Sequence, residues 1–236
     1  MNSGDSNLGR GRKQLGARDR RILDDVIRFR VLTNDLIQLL HMPEHKVNAV
    51  VKVTGRLVKT GWLANHPLIG RQQYFVVGNR TTMQFGLPNS RALPLGPQAL
   101  SSWLSIANYC ANSRPRLSVL DRSDFEREYR WMPEKSRSGV YARETADADL
   151  ALRHIRVDLG GTPEHVARKC NRDSRVHVNI SGFVDLIAQC RLVSVVLTSS
   201  SSKKRLIEAA LKKLDWPEKT RFQVTVTSDL FQLLGS

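Results

Sequence analysis

The sequence predicts a mixed α+β or α/β chain built in two parts. Two observations carry this. Through residues 17–60 apolar side chains recur at three- and four-residue spacing, and two short alternating runs follow. The last third instead repeats strand, helix and strand with short connections, the texture of a layered α/β unit. The 236 residues, 41% apolar and 25% charged, suffice for a buried core in one large domain or two small ones.

Residues 1–16 are rich in Gly, Ser, Asn and Arg and read as a disordered basic arm. Ile22, Leu23, Val26 and Ile27 predict a helix over 17–30. Thr33 stands as the N-cap of a second, 34–40, whose apolar residues are Leu36, Ile37, Leu39 and Leu40. Pro43 opens a third, 43–60, and Gly61 stops it where positive φ is cheap. Residues 62–65 and 73–77 are strand-like and joined through a turn at Gly70. Three helices followed by a two-stranded hairpin predict a winged helix-turn-helix over 17–85.

Pro88, Pro94 and Pro97 mark a linker, and 98–111 reads as a helix, the two together filling 86–120. From 121 to 236 the α/β part is expected. Ser123 and Glu126 form an S-x-x-E cap for a helix over 124–132. Residues 151–159 alternate as a strand ended by Gly160 and Gly161. Thr162 and Pro163 start a helix to about 172, and 178–189 is helical. Residues 192–198 form a buried strand by their β-branched content, 203–214 an amphipathic helix, and 221–227 a strand.

Charge narrows the function. Lys and Arg number 37 against 22 Asp and Glu, a net +15. A field of that sign draws polyanions, with nucleic acid first and an anionic membrane surface second. About +8 of it falls in residues 1–90, which places the polyanion partner on the first third. No apolar run approaches a membrane span, and the N-terminus lacks the apolar stretch of a secretory signal. Cys110, Cys170 and Cys190 are widely spaced and form no C-x-x-C, which suits a reducing cytoplasm.

The helix over 43–60 is the candidate DNA reader. Val47, Val50, Val51, Leu57 and Val58 are its expected docking stripe. His45, Asn48, Ala49, Lys52, Arg56 and Lys59 form the other face. Asn48 suits an adenine edge and Arg56 a guanine edge, while Lys46, Lys52 and Lys59 suit phosphates. Arg71 and Gln72 at the hairpin tip would touch backbone or minor groove. The bland reading is a solvated helix face carrying ordinary surface charge. Aromatic residues are only 6%, so stacking platforms for single-stranded RNA are poorly supplied.

Other chemistry finds little support. His154, His165 and His177 lack zinc-ligand spacing, and no G-x-x-x-x-G-K-[ST] or G-x-S-x-G is present. The serines before Lys203, Lys204 and Arg205 could hold a phosphate at a helix N-terminus, but read more simply as a capped, exposed turn.

The runs LGARDRRILDDVIRFRVLTNDLIQLL and VVKVTGRLVKTGWLANHPLIGRQQYFVV resemble the winged-helix half of the plasmid replication-relaxation family. Its "RD..IL", "LT..QL" and "RL..L...G.L" helices precede a wing. The resemblance covers residues 15–77, and a weaker one extends over the second half. It implies a C-terminal domain like a degenerate restriction endonuclease. In such nucleases an acid on an early helix, an Asp, and a (Asp/Glu)-x-Lys strand hold Mg²⁺. The candidate acids are Glu126 (or Glu128), Asp149 (or Asp147) and Asp158. The (Asp/Glu)-x-Lys signature is missing: Arg156-Val157-Asp158 stands in its place, and Lys169 is the one displaced lysine. The simpler expectation is an Arg156–Asp158 ion pair.

The expected protein is therefore a cytoplasmic, bacterial double-stranded DNA-binding factor of a plasmid or mobile element, acting in replication control, transfer or transcription. It is expected to be a homodimer with Trp103 of the 98–111 helix at the contact, and to need no cofactor. The alternative is a Mg²⁺-dependent endonuclease.

Overall fold

The computed structural model describes residues 15–145 and 151–227. The basic arm is thus almost wholly outside the described residues, as are Asp147 and Asp149. The chain is mixed α+β, with ten α-helices and two sheets among the described residues.

Three helices come first: α1 (Ala17–Phe29), α2 (Asn34–His41) and α3 (Val47–Lys59), with a two-residue strand β1 (Leu32–Thr33) between α1 and α2. The Thr33 hydroxyl accepts the Leu36 N–H at 3.3 Å, the cap read from sequence. Strands β2 (Leu63–Pro67) and β3 (Gln73–Val77) pair antiparallel, and β1 adds to the far side of β3. Gly61 and Gly70 both take positive φ, at 77° and 59°. Helix α4 (Asn79–Phe85) and a 3₁₀ turn at Asn89–Ala92 follow. Gly78 sits where any Cβ would lie 2.2 Å from the Gly61 carbonyl oxygen, so only glycine closes the base of the hairpin.

Helix α5 (Pro97–Asn112) matches the helix expected over 98–111, and it is a core element. Leu104, Ile106, Ala107 and Cys110 are buried, and Trp103 is half-buried beneath Arg30. One apolar cluster runs from Ile22 and Leu57 through Leu104 and Ala107 to Ile155, Val193 and Leu197.

The second sheet has the order β4 (Leu117–Val119), β5 (Val140–Glu144), β6 (Leu152–Val157), β7 (Leu192–Thr198), β8 (Arg221–Val226). The first two pairings are antiparallel and the last two parallel. Every residue of β7 is buried, as expected for a strand covered on both faces. Val193, Val195 and Leu197 face α5 and the first helices. Val196 faces α8 (Pro163–His177) and α10 (Ser201–Lys212) with Ile207 and Leu211. Short α6 (Arg122–Arg127), α7 (Glu134–Arg137) and α9 (Ser181–Ala188) complete the chain.

Helix α6 corrects an expected cap. Its N-cap is Asp121, not Ser123: the Asp121 carboxylate accepts the Asp124 N–H, and Asp124 returns the bond to the Asp121 N–H. The box is therefore one of two aspartates, and Glu126 points outward to Arg122 (2.6 Å). Arg28 of α1 also bonds Asp124 and the Val119 carbonyl, tying the first helix to this segment.

Candidate nucleic-acid interface

Helix α3 begins at Val47, four residues later than the sequence predicts. Pro43 opens a turn, and His45 and Lys46 lie before the helix, with the His45 carbonyl held by the Gln38 amide at 2.6 Å. The docked face is Val50, Val53, Thr54 and Leu57. Thr54 donates to Asn34 at 3.1 Å and fixes α3 against α2. Val47 and Val51, expected inside, are each 48% exposed. The buried stripe centres on Val50 and Leu57, which lie between Val53 and Thr54 on the helical wheel, whereas Val47 and Val51 fall to one side.

The outward face carries Asn48, Lys52 and Lys59, all exposed. None has an ion pair or side-chain hydrogen bond among the described residues, and the same holds for His45 and Lys46. Gly55 lies between Lys52 and Lys59, and a Cβ there would meet nothing within 4 Å. The middle of this face is therefore open to close approach.

Arg56 departs from expectation. It sits at the edge of the face, and its guanidinium binds the nearly buried carboxylate of Asp19 on α1 at 2.7 Å. It is a strut between helices, and its donors are partly spent. Arg71 and Gln72 occupy the exposed β2–β3 turn, which closes through Leu68 N to Gln72 O (3.0 Å). The turn stands across a groove from α3, lined by Val47, Val51, Ile69, Arg71 and Gln72.

Compared with protein-family models, curated proteins and solved structures, the chain matches none of them.

The candidate acids of the second half do other work. Asp158, just past β6, is 3% exposed. Its oxygens accept from Thr198 Oγ1 (3.0 Å), Gly160 N (3.1 Å) and Lys203 Nζ (2.9 Å). The expected Arg156–Asp158 pair does not form, because Arg156 turns to Asp173 on α8. Strand direction explains it: Asp158 lies beyond the last paired residue, Val157, and follows the turn into Gly160. Glu126 is on the surface with Arg122, Asp149 lies outside the described residues, and Lys169 is exposed on α8. Among the described residues no three His, Cys, Asp or Glu side chains gather as a metal-ligand group.

One cluster escaped the sequence reading. His154 on β6 and His177 at the end of α8 meet edge to face at 5.2 Å. Tyr141 of β5 stacks on His154 at 4.7 Å, and its hydroxyl lies 3.1 Å from His177 Nε2. Burial pushes the His154 imidazole down to about 3 and that of His177 to about 4; Asp173 opposes this and Arg156 reinforces it. Both rings are therefore neutral. Their separation of 23 positions in sequence gives no local signal; only the β6–α8 packing joins them.

Proposed function

We propose that the chain binds double-stranded DNA as a sequence- or structure-specific factor of a bacterial plasmid or mobile element, in replication control, transfer or transcription. The observation that carries this is the outward face of α3. Asn48, Lys52 and Lys59 stand there uncommitted around an open glycine, with Arg71 and Gln72 across the groove. A winged helix-turn-helix presents its second motif helix to the major groove in this way and its hairpin to the flank. Asn48 serves as the base reader, and Lys46, Lys52 and Lys59 serve as phosphate contacts. Arg56 leaves the set of base readers because Asp19 holds it. The net charge of +15 supplies the long-range attraction.

The resemblance of residues 15–77 to the replication-relaxation family supports the plasmid setting. A homodimer on a two-fold site belongs to the same proposal, with Trp103 the candidate contact. The endonuclease alternative gains no support, since Asp158 is engaged by three protein donors and Glu126 by Arg122. The test is selection of bound duplexes from a random pool at moderate salt. Enrichment of a defined motif or DNA shape is expected. Recovery of an unenriched pool, together with no duplex retained at low salt, overturns the proposal.

A further inference from the structure

A cleft lies over β5 and β6, between residues 135–139 and helix α8, and encloses about 530 Å³. Its floor is the buried cluster of Tyr141, His154 and His177. The Tyr141 hydroxyl and His177 Nε2 satisfy each other at 3.1 Å. His154 is 5% exposed, and its Nδ1 has no hydrogen-bond partner among the described residues. Asp173 Oδ2 stands 3.9 Å from that nitrogen, too far for a hydrogen bond. A buried ring nitrogen left unpaired is costly, and a ligand oxygen satisfies it.

The rim is cationic. Lys135 and Arg172 line the cleft, are exposed, and have no side-chain hydrogen bond or ion pair among the described residues. Asp173 is the one carboxylate among the lining residues, and Arg156 neutralises it. The cleft therefore carries two uncompensated positive charges, which match a dianion. Gly139 lets the backbone lie close on the floor: a Cβ there would stand 2.9 Å from His154 Nε2. A second cavity of about 500 Å³ adjoins, sharing Gly139, His154 and Arg156, with His165 and Lys169 on its own wall. Both volumes are those of small-molecule sites. We propose that the cleft binds a phosphate dianion, free or as a small phosphomonoester, with Lys135 and Arg172 pairing its charge and His154 Nδ1–H donating to one of its oxygens. The remaining atoms of an ester extend into the second cavity. A phosphodiester of a duplex, flanked on both sides, does not reach a nitrogen so deeply buried. The lining takes nothing from α3, and the site does not rest on the DNA reading.

Calorimetric titration of the full chain at neutral pH, with inorganic phosphate and with adenosine 5′-monophosphate, tests it. Saturable binding is expected. Lys135→Ala with Arg172→Ala should weaken it about tenfold or more, because charge-assisted bonds to phosphate are lost. Lys212→Ala with Lys213→Ala, which removes the same charge from another exposed surface, should leave it unchanged. The ring-nitrogen NMR signals of His154 should shift on titration of the parent and stay in place in the Lys135→Ala, Arg172→Ala protein. Tighter binding of the nucleotide identifies a monoester as the ligand, and equal binding identifies free phosphate. No saturable binding of either probe overturns the proposal. So does binding that survives loss of Lys135 and Arg172, or that leaves the His154 signals unmoved in the parent.

Discussion

Arg56 of α3 and Asp19 of α1 form an ion pair at 2.7 Å in which the carboxylate is nearly buried and the guanidinium 43% exposed. An arginine at the edge of the proposed reading face is thus bound from behind. Arg56→Ala strands the Asp19 carboxylate. The expected loss is about 1–2 kcal/mol of stability, the exposed end of the pair being discounted for screening. Urea unfolding measures it, and Asp19→Asn with Arg56→Ala should recover part of the loss. An Arg56→Ala protein of unchanged stability contradicts the strut assignment.

Lys52 and Lys59 are two of the proposed phosphate contacts, and neither has an ion-pair partner among the described residues. Replacing both by alanine should weaken duplex binding about tenfold at low salt. The slope of log affinity against log salt should fall by about 1.8. Titrations at several salt concentrations read both numbers. Equal slopes for the variant and the parent would place the phosphate contacts elsewhere.

The histidine pair makes the fold acid-labile. Both imidazoles have folded-state values below the ordinary 6.5, about 3 for His154 and about 4 for His177. Below about pH 6.5 the unfolded chain binds protons that the folded chain refuses. Stability is therefore full above that pH and slopes downward as pH drops toward 4, both groups contributing. His177→Gln should roughly halve the slope. A denaturation midpoint that stays level between neutral pH and pH 5 would rule the pair out as the cause.

Asp158 is predicted to be structural. Asp158→Ala removes the partner of Lys203 and the acceptor of Thr198 and Gly160 N–H, for a loss of about 3 kcal/mol. Thermal melting with and without added Mg²⁺ is the measurement. A melting temperature that rises with Mg²⁺ in the parent and not in Asp158→Ala would assign the carboxylate to a metal instead.

Helices with a continuous apolar stripe were legible in the sequence. Residues 17–30 and 34–40 correspond to α1 and α2, and residues 192–198 to β7 with the same limits. These segments announce themselves because burial on one face, or on both, repeats along the chain. Strands β4 and β5 were not legible. Three residues at Leu117–Val119 and five at Val140–Glu144 owe their form to each other and to β6, across stretches the local pattern does not connect. Within the candidate interface, residue types were readable and commitments were not. Nothing near Arg56 in sequence reveals that Asp19 stands behind it, just as nothing near Asp158 reveals Lys203. The start of α3 was misplaced because proline favours the first turn of a helix but equally opens a plain turn.

The apolar cluster that runs from Ile22 through α5 to Leu197 has a thermodynamic corollary. Cutting the chain ahead of α5 would strip Leu104, Ala107 and Cys110 of their neighbours on one side and leave Val193 and Val195 facing solvent. Heat should accordingly melt both halves in one cooperative step, with calorimetric and van't Hoff enthalpies in agreement.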